Sequence, residues 1–236
     1  VDSVVAIDYF PSLATGKFAV RAGSIMAAED NVEITISGVG CHAAMPHLGK
    51  ETIVIGAEIV SAMQSLVSRT LDPIDHAVVS FTEFVTNGTV NVVPGQVVLK
   101  GDTRSLTTAV QDHIESTMER IVSGICAAHG ASYEFSYRRN FVPTINTPAE
   151  AAIAASVASS VVGQENVIGD SRPVMASEDF GYMLQARPGA YVLLGNGVEG
   201  IGGCSLHNPA YDFNDDILSI GADFWVTLVQ TQLKAG

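Results

Sequence analysis

Six histidines are spread along the chain, and two of them stand where an imidazole has chemistry to do. His42 lies in GCHAAMPH, behind a Gly-x-Gly bend, with His47 five residues on; His207 lies in GGCSLHNPAYDFND, between a glycine-rich turn and a helix start. Loops carried by a rigid scaffold are where binding and catalytic side chains concentrate, and a neutral imidazole is the commonest ligand for a transition metal. Asp8 closes the apolar run VVAI and is of the type that joins histidine in a metal's ligand set. From sequence alone, a strand-end turn residue is an equally good reading of it. His76, His113 and His129 lack such a context: the first follows a proline turn, and the other two fall on the polar or terminal part of a predicted helix, where His129 suits the negative C-terminal end.

The elements that must position these residues are legible from periodicity. NVEITISG, from Asn31 to Gly38, alternates Val32, Ile34 and Ile36 with Glu33, Thr35 and Ser37, the pattern of a strand with one wet face. Glu51 to Arg69 carries Ile55, Ile59, Met63 and Leu66 at helical spacing and stops before Leu71-Asp72-Pro73. Strand-like runs follow at Ala77 to Phe84 and Gln96 to Thr103, joined by a loop rich in Asn, Gly and Pro, so that the two can pair. A second helix is expected from Thr107 to His129, with Gly130 as its C′ residue, and ASYEFSYR then alternates again. The order β-α-β-β-α-β over about Asn31 to Arg139 is the ferredoxin-like arrangement, two helices on one face of a four-stranded antiparallel sheet.

After Pro143 the texture changes. Thr147-Pro148-Ala149-Glu150 has the chemistry of a helix start, with Thr as N-cap and Glu reaching back, and leads into an alanine-rich helix to about Val162. AYVLLG, from Ala190 to Gly195, reads as a short buried strand, and Asn214-Asp215-Asp216 caps a final helix carrying Leu218, Phe224, Leu228 and Leu233. The opening VVAID and GKFAVRAG read as strands that join this second part. The ferredoxin-like unit is thus expected as an insertion in an α/β domain.

Composition narrows the function classes. With 236 residues, the chain can bury one large core or two modest ones. Twelve basic against 25 acidic side chains give a formal charge of −13, which repels phosphate backbones and anionic lipid alike, so neither nucleic acid nor membrane is an expected partner. No apolar run approaches the ~20 residues of a transmembrane helix, and the start has no signal-peptide pattern. Cys41, Cys126 and Cys204 are too few and too scattered for a disulfide scaffold; with a reducing compartment expected, the protein is read as cytoplasmic. The chain opens on Val1 within an apolar strand, which reads as a portion of a longer protein.

In this order, GCHAAMPH, TNGTVNVVPGQVVLKGDTRS, MASEDFGYML and LHNPAYDFND make the chain resemble the M20 metallopeptidase family, in particular its aminoacylase and hippurate-hydrolase-like amidohydrolase branch, through essentially its whole length. The resemblance implies an α/β fold: part of a zinc-peptidase-like catalytic domain (1–28 and 143–236) with an inserted ferredoxin-like (βαββαβ) lid and dimerisation domain (29–142). It implies a metal-dependent hydrolase that cleaves the amide bond of N-acyl amino acids or related small amides, with two divalent ions, Zn or Mn first and Co or Ni next, and a homodimer formed through the lid. Position by position, His42 matches the lid histidine that reaches the partner subunit's active site and hydrogen-bonds the oxyanion. Asn91 and Arg104 match lid positions associated with substrate binding, a planar guanidinium being suited to a carboxylate. His207 matches the C-terminal metal ligand. Asp8 stands where the amidohydrolase branch carries a histidine ligand and other branches a carboxylate. Glu178 and Asp179 match a loop bordering the active site, and His47 is given a structural or supporting role. In the family, the general-base glutamate and the remaining ligands lie before the segment at which this sequence starts. Two rivals stand beside this reading: a non-catalytic, truncated dimerisation and binding module, and an M20 dipeptidase or carboxypeptidase.

Overall fold

The computed structural model describes residues 1–200 and 202–233. In chain order the strands are β1 (Val4–Pro11), β2 (Phe18–Ala19), β3 (Gly23–Met26), β4 (Ala28–Ser37) and β5 (Cys41–His42), followed by helix α1 (Thr52–Ser65). Then come β6 (Ala77–Thr86), β7 (Val92–Val93), β8 (Gln96–Ser105), α2 (Thr108–His129), β9 (Ser132–Phe141) and β10 (Thr144–Asn146). The chain continues through α3 (Pro148–Val162), β11 (Val167–Ile168), α4 (Phe180–Ala186), β12 (Gly189–Gly197) and α5 (Leu218–Gln232). It is a mixed α/β protein made of two compact units, one comprising Val1–Met26, Thr144–Val174 and Glu178–Gly236, the other Ala27–Pro143 with Met175–Ser177.

In the discontinuous unit a four-stranded sheet runs β1-β12-β2-β11, with β1 parallel and β2 antiparallel to β12, and β11 parallel to β2. Every residue of β12 is buried, which is why its sequence shows an apolar run rather than an alternation. On one face Val192 and Leu194 pack with Ala154 and Val157 of α3 and Phe224 and Leu228 of α5; Phe18 stacks on Phe224 at 5.3 Å. On the other, Tyr191 and Leu193 pack with Phe180 of α4, Ile25 and Met26. Each such large side chain contributes about 1.5–3 kcal/mol by leaving water.

The continuous unit is an antiparallel sheet in the order β6-β8-β4-β9. Val32, Ile34 and Ile36 of β4, at most 2% exposed, face Ile55, Ile59 and Met63 of α1 and Ile114, Met118 and Val122 of α2. Thr107 caps α2 by accepting a bond from the Val110 N–H at 3.2 Å, and Gly130 closes it at φ 62°, a left-handed turn that glycine makes without a Cβ clash. Buried Asp30 accepts from Gln111 Nε2 and the Tyr137 hydroxyl, each at 2.7 Å, tying β4 to α2 and β9.

Two local expectations change. The first helix is α-helical only to Ser65 and finishes as a π-turn over Leu66–Thr70, where the Thr70 hydroxyl donates to the Leu66 carbonyl at 2.6 Å. Thr147 precedes α3 as expected, but its hydroxyl does not cap it. It accepts instead from the Gly189 N–H at 3.1 Å, because the start of β12 offers that oxygen a competing donor. Among the described residues no helix is long and apolar enough to cross a membrane.

Candidate active site

In the discontinuous unit the chemistry gathers on one face of the β1–β12 pair. The parallel register sets Ala6 against Tyr191 and Asp8 against Leu193, and since side chains alternate along a strand, Asp8 shares its face with Ala6, Tyr191 and Leu193. Tyr191 is 4% exposed. Its hydroxyl donates to Glu178 Oε2 at 3.2 Å, and the Asp8 carboxyl on the same face is its electrostatic partner. The other oxygen of Glu178, Oε1, accepts from the Asp179 N–H at 2.7 Å. The backbone of Tyr191 is gripped from the side by buried Asn146, whose Oδ1 accepts from the Tyr191 N–H at 2.6 Å and whose Nδ2 donates to its carbonyl at 2.9 Å. A side-chain amide thus does for Tyr191 what a neighbouring strand would do.

Burial sets the electrostatics of this cluster. It pushes the Asp8 carboxyl above the usual range, against relief from the Tyr191 hydroxyl and the Tyr9 backbone. Glu178 is raised first by burial and then by Asp179 beside it. Tyr191, buried and facing two carboxylates, is pushed up strongly, so its oxygen keeps its hydrogen and acts as a donor. Tyr211, in the loop after β12, is raised by burial and then by the charges of Asp8 and Asp212.

That loop carries His207, exposed and held at φ 64°. Asn196, fully buried at the end of β12, clamps both ends of the loop. Its Nδ2 donates to the carbonyls of Gly202 and Asp212, each at 3.1 Å, and its Oδ1 accepts from the Asn214 N–H at 3.0 Å. The approach is tight at Gly202: at φ 78°, a Cβ there would sit 2.1 Å from the Asn196 carbonyl oxygen, so no larger side chain fits without displacing the loop. Asp8 and His207 are both potential metal ligands, but among the described residues no three His, Cys, Asp or Glu side chains come together to hold an ion. Two side chains fall short of the three protein ligands of a catalytic zinc, so these residues do not by themselves fit a metal centre.

In the continuous unit the structure brings His42 and Asn91 together across 49 residues of sequence. Cys41 and His42 pair with Val93 and Val92, and the Ala43 N–H donates to the Asn91 carbonyl at 3.0 Å. His42 Nδ1 accepts from the Ala44 N–H at 3.0 Å. In the neutral ring, one nitrogen accepts and the other carries the hydrogen, so this bond makes Nε2–H an outward donor on an exposed side chain. The Asn91 side chain accepts from the Thr89 hydroxyl at 3.2 Å. His47 sits in the short exposed turn Pro46–Leu48. Arg104 stands apart from the β5–β7 pair: Nε donates to Asp102 at 2.8 Å, while Nη1 meets Glu29 at 3.1 Å and the Ser177 hydroxyl at 3.2 Å. Two carboxylates thus already face its charge, and Nη2 takes no part in these contacts. A trough of about 440 Å³ on the open face of the sheet, lined by Glu33, Lys100 and Arg138 among others, contains none of the expected site residues.

Sequence reasoning did not reach Tyr191, Asn146 or Asn196. The one available signal was an asparagine closing an apolar strand before a glycine-rich loop, as in YVLLGNG.

Comparison with known proteins then bears on the whole chain. The model of the family described as Peptidase family M20/M25/M40 matches residues 1–231. The Bacillus subtilis protein YhaA is 38% identical over 208 residues, 88% of this chain and 52% of that protein. Hippurate hydrolase of Campylobacter jejuni is 32% identical over 220 residues, 92% of this chain and 56% of that enzyme. Among solved structures, one from methicillin-resistant Staphylococcus aureus superposes with a TM-score of 0.91 at 29% identity, over 99% of this chain and 60% of that one. The Bacillus subtilis YXEP protein, described as a dinuclear metal binding peptidase from the M20 family, has a TM-score of 0.80 at 22% identity, over 99% of this chain and 58% of that one. The chain therefore spans little more than half the length of these proteins.

Proposed function

Because the chain belongs to peptidase family M20/M25/M40, we propose that it serves in the hydrolysis of the amide bond of N-acyl amino acids, with His42 as the donor that meets the developing oxyanion. The observation that carries this reading is the bond from the Ala44 N–H to His42 Nδ1, which presents Nε2–H outward in the tautomer an oxyanion requires. The similarity to hippurate hydrolase supports the substrate class.

His42 is exposed within its own chain, whereas an oxyanion donor acts most strongly where water is excluded. A second copy of the chain, docked through the continuous unit, supplies that exclusion in this reading, with His42 acting in the partner subunit's site. Strand β6 is an edge of its sheet and exposes Val78, Phe84 and Val85, an edge suited to pairing with another copy. Asn91 lies beside His42 to contact the substrate, and Arg104 contributes through Nη2. Divalent metal dependence fits the description of the YXEP structure; Asp8 and His207 are the ligands this chain has to offer, and zinc and manganese are the first ions to test.

The test is turnover of hippurate and N-acetyl amino acids by the full-length protein, beside dipeptides, with metal content measured on the same samples. His42→Ala is expected to lower kcat by about 10²–10³-fold, the loss typical of one oxyanion donor, with metal content unchanged. Equal loss of metal and activity removes His42 from this role. Turnover of dipeptides alone moves the protein to the peptidase reading. A dimer with neither metal nor turnover establishes the binding-module reading.

A further inference from the structure

Glu178 has both carboxylate oxygens engaged by donors of its own chain, Oε1 by the Asp179 N–H and Oε2 by the Tyr191 hydroxyl. A carboxylate held in this way serves as a fixed point rather than as a contact for a ligand. Tyr191 is in turn immobilised along its length: Asn146 grips its backbone at both N–H and carbonyl, the Phe180 ring lies 5.7 Å from its own, and its hydroxyl donates to Glu178. Asp8 and Tyr191 stand diagonally on one face of the β1–β12 pair, and the Asp8 charge is among the groups that keep the hydrogen on the Tyr191 oxygen.

We propose that Tyr191 is a positioning residue for Asp8 and that Glu178 is the anchor of Tyr191, the three side chains forming one line, Glu178 to Tyr191 to Asp8, inside the discontinuous unit. The inference rests on the reading that Asp8 belongs to the hydrolytic site. A phenol has one hydrogen and two carboxylates to give it to, and rotation about its C–O bond hands that hydrogen to whichever carboxylate is not otherwise engaged. The ring does not move in this exchange. Asp8 is therefore offered a donor when its lone pairs are otherwise free and released from it when they are occupied, and the segment carrying Glu178 acts without touching substrate.

Tyr191→Phe removes one oxygen and leaves the Asn146 grip, which is made to backbone, in place. In the full-length protein, Tyr191→Phe and Glu178→Ala are each expected to lower kcat about tenfold, the size of one lost hydrogen bond, with little change in KM or in Tm. The double variant is expected to be no worse than the more severe single one, since both cut the same line. Glu178→Gln, whose single amide oxygen can accept from the phenol or from the Asp179 N–H but not from both, is expected to recover only part of the loss. Hydrogen exchange gives a readout independent of turnover: in Tyr191→Phe the Asp179 amide, bonded to Glu178, is expected to exchange about tenfold faster. Additive losses in the double variant overturn the line, as does Tyr191→Phe with unchanged kcat and unchanged Asp179 exchange. If the parent protein hydrolyses no amide, the proposed function fails, and the exchange result alone then decides whether Tyr191 anchors Glu178.

Discussion

Strand β1, which carries Asp8, and the two-stranded β5–β7 pair, which carries His42, hold polar side chains still by opposite means. Around Asp8, buried amides and a phenol saturate their partners: Asn146 and Asn196 spend their side chains on named backbone groups, and Tyr191 lies at 4% exposure. Around His42 the order is local and thin, two paired residues on each strand and one backbone bond to the ring, with the imidazole in solvent. Buried polar groups left without partners are costly, so the first region is fixed by folding alone. The second is held by its own few backbone bonds and left open to solvent.

Asparagine occurs in both regions and gives the sharpest way to separate them. Asn196→Ala leaves the carbonyls of Gly202 and Asp212 and the Asn214 N–H without their partner, and is expected to cost about 3 kcal/mol of stability in urea unfolding. A loss under ~0.5 kcal/mol would show that the loop does not depend on this clamp. Asn91→Ala, exposed just before β7, is expected to change stability by less than about 0.5 kcal/mol while lowering kcat/KM about tenfold; the opposite pattern would make Asn91 a structural residue. The smallest effect concerns pH. Burial raises the Asp30 carboxyl above its ordinary 3.8, against the relief given by Tyr137, Gln111, Arg139 and Thr103. The folded state therefore holds the proton where the unfolded state has released it. The contribution to stability is full below pH 3.8 and is lost as pH rises through the raised value. Unfolding free energies of the parent and Asp30→Asn proteins, compared from pH 3 upward, are expected to differ in slope over that window; parallel curves would contradict the shift.

Much of the architecture could be read from pattern, because burial on one face leaves a periodic trace: Val32, Ile34 and Ile36 all lie in the core of the continuous unit, and Val110 and Ile114 face it from α2. His42 and His207 drew attention because an imidazole in a turn has no packing role. What stayed hidden shares one cause. Tyr191 and Asn196 sit in or beside an apolar run, and their polar atoms are used by partners remote in sequence, such as Asn146 and Asp212. No spacing rule reports such partners. Thr147 shows the same limit from the other side: its capping chemistry was visible, but the Gly189 N–H that takes its oxygen lies 42 residues away.

The clamp at Asn196 has one more consequence, for anyone wishing to reshape this protein. Since one side chain secures the carbonyls of both Gly202 and Asp212, the stretch between them is a ring closed at a single knot. Lengthening such a ring is cheap, about 0.6 kcal/mol for each doubling. Added length between Gly202 and Asp212 therefore spares the strand beneath, while the reach of His207, which rides on that ring, is set by the number of residues in it.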